Sequence, residues 1–476
     1  MINFALLIPE FALTGLAISL LATDLFLDRR QKGWLSLLCV LSLVAVILVT
    51  IPLIGSTGSL YNGLFLVDGY THFFRILFPL MSIFIVLISV DFVKLHLRYP
   101  GEYYGLILLA TLAMIIMAAA GEIITAYISL ELLNFCLYVL TSYAKDDPRS
   151  NEAGVKYIIL SAFASALLLY GFSILYGMTG TTYYSGIAQA LQSTEASTPG
   201  LFLALALITA GLGFKVAAVP FHMWTPDVYE GAPVPITAFI AVASKAAGFA
   251  LLLRLFSLAL GPAIDQWSGI IAIMAVVTMT VGNLVAIQQR NIKRLLAYSS
   301  ISQVGYLLMG VAALNPMSAS ALVLHVVGYG ASNLAVFLCV TVYFNQTAKE
   351  NISDYSGLAE RAPFLAFALT ISLFSLAGMP IFAGFITKFY LFTAVAQAGL
   401  LWLSVVAIIN SMVSLYYYLQ VVRYMYIGAP SEPGRLGASP LANMALALLV
   451  LAVTGIGVYP APLVRAVDAA VRALGL

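Results

Sequence analysis

The chain is 476 residues long, 62% hydrophobic and only 9% charged, with a formal net charge of +2 and a mean hydropathy of +1.01. An ordinary soluble domain carries about 25% charged residues, so the composition excludes a soluble enzyme and indicates an integral membrane protein. A net charge this close to zero gives no hold for nucleic acid; the lipid bilayer is the expected partner.

In lipid only helices and closed barrels satisfy the backbone. The apolar runs here extend over roughly 20 residues, enough for a helix to cross a core of about 30 Å, whereas barrel strands would alternate over about 10. An all-α fold of about 14 transmembrane helices is expected, with spans near residues 2–27, 34–53, 71–93, 103–120, 123–143, 152–178, 200–222, 235–259, 268–289, 295–313, 318–343, 363–395, 400–427 and 440–460. The first carries Pro9 and Glu10 and ends in Asp24 and Asp28, without a basic leader or a small-residue cleavage site. It is expected to stay in the mature chain.

The loops after spans 1, 3, 5, 9, 11 and 13 hold fourteen lysines and arginines, from Arg29 and Arg30 to Arg435, and those after spans 2, 4, 6, 8, 10 and 12 hold none. Only Arg465 and Arg472 in the tail weigh against them. The positive-inside rule then directs both termini outward. Cys39, Cys136 and Cys339 are scattered, as are His72, His96, His222 and His325. No spacing suits zinc, haem or an iron–sulfur cluster, and no glycine-rich phosphate loop is present, so no metal and no cofactor is expected on this chain.

Six basic residues fall inside spans: Arg75, Lys156, Lys215, Lys245, Arg254 and Lys388. Arg75 and Lys156 lie near span ends, where a long side chain can snorkel to the headgroups, and Arg254 lies toward one end of span 8. Lys215, Lys245 and Lys388 are deeper. A lysine at a helix centre costs about 2.5–3.5 kcal/mol to insert, so three imply a role inside the protein. Span 5 supplies the opposite sign in Glu131, near its midpoint and expected to be buried. Desolvation and a nearby carboxylate act on a lysine in opposite directions, so its distance from Glu131 can decide whether Lys215 holds its proton. A static ion pair joining two helices is the alternative reading; one lysine would suffice for it, and three are present.

Two spans are interrupted. Pro220 follows Lys215 by five residues, and "FSLAGMPIFAGFITKFYLF" places Gly378, Pro380 and Gly384 within span 12, with Lys388 eight residues after the proline. Proline removes a helical donor and crowds the preceding turn. In membranes such breaks are tolerated against protein or a water-lined cavity, and paired breaks in matching halves mark ion paths. Spans 7 and 12 are five apart and so cross in opposite directions, the pattern of two inverted five-helix repeats, spans 4–8 and 9–13. The breaks match better than the lysines, since Lys215 precedes its proline and Lys388 follows. His222, beside the first break, and His325, with Tyr329, Ser332 and Asn333 in span 11, are candidate members of a water chain; a lone histidine in a bundle also serves as a hydrogen-bond donor.

The segments "FKVAAVPFHMWTPDVYEGAPVPITAFIAVASKAAGFALLLR", "GNLVAIQQRNIKRLLAYSSISQVGYLLMG" and "DYSGLAERAPFLAFALTISLFSLAGMPIFAGFITKFYLF" resemble the antiporter-like membrane subunits of respiratory complex I, over residues 100–430 or so. The resemblance implies a subunit without cofactors of its own, one of three sister modules in a bacterial plasma membrane. NADH, FMN, iron–sulfur clusters and quinone would be handled by other subunits, and quinone reduction there would drive proton movement here. It assigns proton transfer to Glu131, Lys215, Lys245 and Lys388, and adds Lys156 as a further family lysine. Lysine at 388 departs from the glutamate of one sister, and the stop at Leu476 lacks the long lateral helix of the largest. The implied organisation is a three-helix segment 1–100, a first repeat 101–260, an inverted repeat 261–430 and a C-terminal helix and tail 431–476. The expected route enters near broken helix 7, with Lys156 and His222 close by, passes Lys215, Lys245 and the His325 region, and leaves by Lys388. The alternatives are a sodium/proton antiporter subunit of a multi-subunit complex, a non-pumping structural subunit, or a membrane subunit of a related hydrogenase or photosynthetic complex.

Overall fold

The computed structural model describes residues 4–28, 31–193, 199–430 and 434–476. Arg29, Arg30, the first residues of span 1 and the segment boundary expected at 431 lie outside the described residues. Twenty α-helices follow in chain order: α1 (Ile8–Phe26), α2 (Trp34–Thr50), α3 (Gly69–His96), α4 (Pro100–Ala119), α5 (Ile123–Thr141), α6 (Pro148–Thr179), α7 (Tyr184–Ser193), α8 (Pro199–Val216), α9 (Trp224–Gly231), α10 (Val234–Phe239), α11 (Lys245–Leu258), α12 (Ile264–Ala286), α13 (Ile292–Ala312), α14 (Pro316–Thr347), α15 (Leu358–Arg361), α16 (Pro363–Ala377), α17 (Ala383–Gln397), α18 (Leu401–Ile427), α19 (Pro440–Val458) and α20 (Ala461–Val471). Among the described residues, 13 helical stretches are long and apolar enough to cross a membrane. The expected span 12 is the pair α16 and α17, each too short to cross alone.

Local chemistry sets the helix starts. The side chains of Asp68, Glu122, Asp147, Asn291, Asn315 and Ser439 accept from first-turn backbone N–H groups that have no helical partner. Proline sits in the first turn of α4, α6, α14, α16 and α19, where its missing donor costs nothing.

Three features depart from the expected layout. The loop after α2 contains an antiparallel hairpin, β1 (Gly58–Leu60) with β2 (Phe65–Val67), turning at Tyr61 and Asn62, both at positive φ. Its apolar side chains pack on Leu6, Leu7 and Ala119, which explains a strand pair in an otherwise helical chain. The short helices α7 and α20 are likewise additional. Span 7 ends at Val216 rather than near 222, and the chain resumes as α9.

The stretch Val234–Leu258, α13 and α14 are buried along nearly their whole length and form the centre. The outer helices expose apolar side chains such as Leu25, Phe163 and Ile427, a surface matched to lipid or to other membrane chains. Polar residues are therefore concentrated in the helices that meet only protein.

Candidate proton-transfer site

The first break is satisfied by local and tertiary donors. Ala217 adopts a left-handed φ of 68°, and Ala218 N donates to Gly213 O at 2.7 Å. Val219 N donates to Thr278 Oγ1 at 3.0 Å, and the Trp224 indole donates to Phe214 O at 3.0 Å. Backbone groups freed at membrane depth thus find protein partners. Lys215 lies in the last turn of α8 and is buried. Its Nζ donates to Asn134 Oδ1 at 2.6 Å. Asn134 Nδ2 in turn donates to Glu131 Oε1 at 3.2 Å, and Ser165 Oγ donates to the same oxygen at 2.5 Å.

The expectation of a buried Glu131 paired with Lys215 is therefore corrected. Glu131 is half-buried, on the face of α5 that also exposes Ile124, Ile128, Phe135 and Val139, and Asn134 stands between the two charges. Among the described residues no carboxylate lies within 4.0 Å of Lys215, Lys245 or Lys388, so none of the three is held in a direct ion pair.

Lys245 follows a π-helical turn, Ile240–Ser244, a distortion that often accompanies functional positions. Its ammonium bonds Ser300 Oγ and lies 5.7 Å from the Tyr229 ring centroid. Gly248, one turn on, lets α8 approach: a Cβ there would sit 3.4 Å from Lys215 Cγ and 3.0 Å from Val216 Cγ1. The stems of Lys215 and Lys245 thus occupy one helix–helix seam.

From Ser300 the polar groups continue along α13 and α14. Tyr329 OH lies 3.1 Å from both Ser300 Oγ and Ala241 O and donates its one proton to either. One turn away, Gln303 Oε1 meets His325 Nε2 at 3.3 Å, while His325 Nδ1 meets Thr387 Oγ1 at 2.9 Å. The spacings Ser300/Gln303 and His325/Tyr329 correspond to a rise of about 5 Å between these two rungs, a gap one bridging water covers.

The second break ends the series. Gly378 takes a φ of +89°, which closes α16 without a Cβ clash. The last carbonyls of α16 then serve as acceptors: Leu376 O receives Gln303 Nε2 at 3.1 Å and Lys388 Nζ at 2.9 Å, and Ala377 O receives Ser411 Oγ at 3.1 Å. Lys388 also donates to Ser411 Oγ at 3.1 Å and lies 4.8 Å from the Tyr306 ring centroid. The apparent mismatch between the two lysines disappears here. Lys215 occupies the last turn of the first half-helix, and Lys388 reaches back from the second half to the corresponding turn, where the negative end of the helix dipole favours a cation.

The remaining candidates lie apart from this series. Lys156 is half-exposed and bonded to Glu152 at 2.8 Å and Asp227 at 2.9 Å, within a network that continues through Arg294 to Glu230. It neither snorkels alone nor enters the core. His222 is buried beside the break, where its ring meets the Pro220 backbone. Arg75 and Arg254, for which anchoring at the headgroups was one of two open readings, are fully buried. Arg75 is bidentate to Glu10, through Nε and Nη2 at 2.7 and 2.8 Å, and Arg254 holds Asp68 through Nη2 alone, 2.6 Å from both oxygens. Asn134, Ser165, Ser300, Gln303, Thr387 and Ser411 were not anticipated. Their signal was polar spacing of three or four residues within apolar spans, as in Glu131/Asn134 and Ser300/Gln303.

Together the fold and this buried amine–hydroxyl–imidazole series define a polytopic membrane protein of the antiporter-like class. Residues 120–414 match the family model described as NADH:quinone oxidoreductase/Mrp antiporter, TM. The chain is 40% identical over 470 residues to NADH-quinone oxidoreductase subunit N of Desulforamulus reducens, covering 99% of this chain and 98% of that one. It superposes on a chain of respiratory complex I from Thermus thermophilus with bound aureothin at a TM-score of 0.81 and 29% identity, over 97% and 99% of the two chains. A chain of the Mrp complex from Dietzia sp. DQ12-45-1b shares the fold at a TM-score of 0.84 and 22% identity, over 98% and 97%. The chain belongs to this family, on the branch of the NADH-quinone oxidoreductase subunit N proteins.

Proposed function

We propose that this chain is the proton-translocating membrane subunit N of an NADH:quinone oxidoreductase, and that Lys215, Lys245 and Lys388 are its proton-carrying groups. The observation that carries the reading is the polar series from Glu131 through Asn134 and Lys215, and onward from Lys245 through Ser300, Gln303 and His325 to Lys388, inside a bundle whose exterior is apolar. Each amine can accept a proton and, as ammonium, donate it. Arginine could not do so, because it stays charged.

In this reading Glu131 acts on Lys215 through Asn134, and its place on an exposed apolar face of α5 suits control by a neighbouring membrane subunit. Protons enter at the arginine- and lysine-rich end, near Lys156 and His222, and leave beyond Lys388. Both termini face outward from a bacterial plasma membrane, and the two breaks belong to inverted repeats 101–260 and 261–430. NADH, FMN, iron–sulfur clusters and quinone are bound by other subunits. The sodium/proton antiporter alternative rests on the shared family model and on a shared fold at 22% identity, weaker support than the 40% identity to a subunit N protein.

The test uses the assembled complex in membrane vesicles. Lys215→Ala and Lys388→Ala should each lower proton pumping and coupled quinone reduction without loss of assembly. Wild-type pumping by either variant in a fully assembled enzyme would remove that lysine from the route. Soluble redox subunits copurifying with the chain would separate this reading from the antiporter one.

A further inference from the structure

A second set of buried polar groups meets Lys388 from a different side. On α13, Ser299, Ser302 and Tyr306 share the face next to the one carrying Ser300 and Gln303, at spacings of three and four residues. The Tyr306 ring stacks under the Lys388 ammonium at 4.8 Å, and its hydroxyl is directed toward Asn283 and Ser302. Tyr306 and Ser302 are both fully buried, yet their hydroxyls meet each other, and the Tyr306 hydroxyl meets Asn283, only through long or poorly aligned contacts. Buried hydroxyls are rarely left without a well-aligned partner, and groups held this close but poorly aligned can be bridged by a water.

The groups beyond are already joined. Tyr417 OH donates to Asn283 Oδ1 at 3.0 Å, and Asn283 Nδ2 donates to Asn410 O at 2.9 Å, which orients the amide. The Tyr417 and Tyr418 rings pack at 4.5 Å, and Tyr418 OH bonds Ser299 Oγ and lies beside Gln303. From Tyr306 to Ser299 this path runs about 10 Å along α13, toward the helix end that carries Lys293 and Arg294. Gln303 is the junction, touching both this cluster and the His325 rung.

We propose that Ser299, Tyr418, Tyr417, Asn283 and Tyr306 form a side branch that delivers protons to Lys388 from the basic end of the bundle, independently of Lys245. This rests on the proposed role of Lys388. Each hydroxyl accepts one proton as it releases its own, and the last transfer, from the Tyr306 hydroxyl to the Lys388 amine above its ring, passes through one bridging water, so the net change is confined to Lys388, whose amine becomes an ammonium. Asn283 positions the Tyr417 hydroxyl and the bridging water and carries no proton itself.

The test compares Tyr306→Phe, Tyr417→Phe and Lys388→Ala in the assembled complex in vesicles, reading protons pumped per electron together with the deuterium solvent isotope effect. Tyr306→Phe keeps the ring against Lys388 and removes only a weakly held hydroxyl, so assembly should be unaffected. The branch requires both phenylalanine variants to lower pumping per electron in fully assembled enzyme and to change the isotope effect. A purely structural role would reduce the amount of complex and leave its stoichiometry intact. Wild-type stoichiometry in both, alongside a defect in Lys388→Ala, overturns the branch alone. A Lys388→Ala enzyme that pumps normally overturns the Lys388 assignment and the branch with it.

Discussion

Asn134 separates Glu131 from Lys215: its amide donates to the carboxylate at 3.2 Å, and its carbonyl oxygen accepts from the ammonium at 2.6 Å. The two charges sense each other through one polarised amide and not through contact. Movement of either helix therefore changes the field at Lys215 without breaking an ion pair, which suits a switch better than a clamp.

Replacing that amide tests the relationship. Asn134→Leu leaves a buried ammonium without its acceptor, a loss of about 1–3 kcal/mol. The thermal midpoint of the complex and its pumping should both fall, while Asn134→Asp, which keeps an acceptor, should hold the midpoint closer to wild type. Unchanged pumping in the leucine variant would deny Asn134 a part in coupling.

Gln303 joins His325 to the Leu376 carbonyl that also receives Lys388. Gln303→Leu fills similar space but removes donor and acceptor together. Proton delivery should slow by about tenfold or more, given what a positioned proton-transfer group contributes. Single-turnover pumping measurements would register the delay, and a wild-type rate would show that His325 reaches Lys388 by another path.

The Arg75–Glu10 pair is fully desolvated on the arginine side. Arg75→Met strands the carboxylate and should cost about 3–5 kcal/mol, whereas the double variant Arg75→Met/Glu10→Leu should recover most of that. The yield and melting temperature of the complex report both. Equal damage from the single and double variants would contradict the assignment of a structural pair.

Asp227, on the short polar helix α9, has its own acid signature. Burial raises its carboxyl, but hydrogen bonds from Lys156 and Arg294 outweigh that and hold it below the usual carboxylate range. A depressed folded-state value means stability that is present above the unfolded value of about 3.9 and is lost as pH falls through the folded one. The difference in melting temperature between wild type and Asp227→Asn should be constant near neutral pH and shrink below about pH 4. A difference that instead vanishes on going alkaline would place the interaction elsewhere.

The long apolar helices, 13 of them among the described residues, the two interruptions and the burial of Lys215, Lys245 and Lys388 were legible in the sequence, because each depends on a local quantity. About 20 apolar residues suffice to cross a bilayer, a proline breaks the helix where it stands, and an amine in a hydrocarbon-length run is out of place wherever its neighbours lie. The hairpin Gly58–Val67 escaped notice because two three-residue strands carry too little periodicity to stand out from a loop.

What surrounds those lysines was settled only by packing. Arg75 and Arg254 read as headgroup anchors from their positions, yet Glu10 and Asp68, distant in sequence, draw them inside. The acceptors of Lys245 and Lys388 come from α13, α16 and α18, and nothing in a helix's own sequence says which other helix its polar face will meet. Sequence determined that charges must be buried, because lipid penalises them everywhere; the tertiary structure decided which amide, hydroxyl or carbonyl receives each one, because that depends on helix neighbours, rotation and depth.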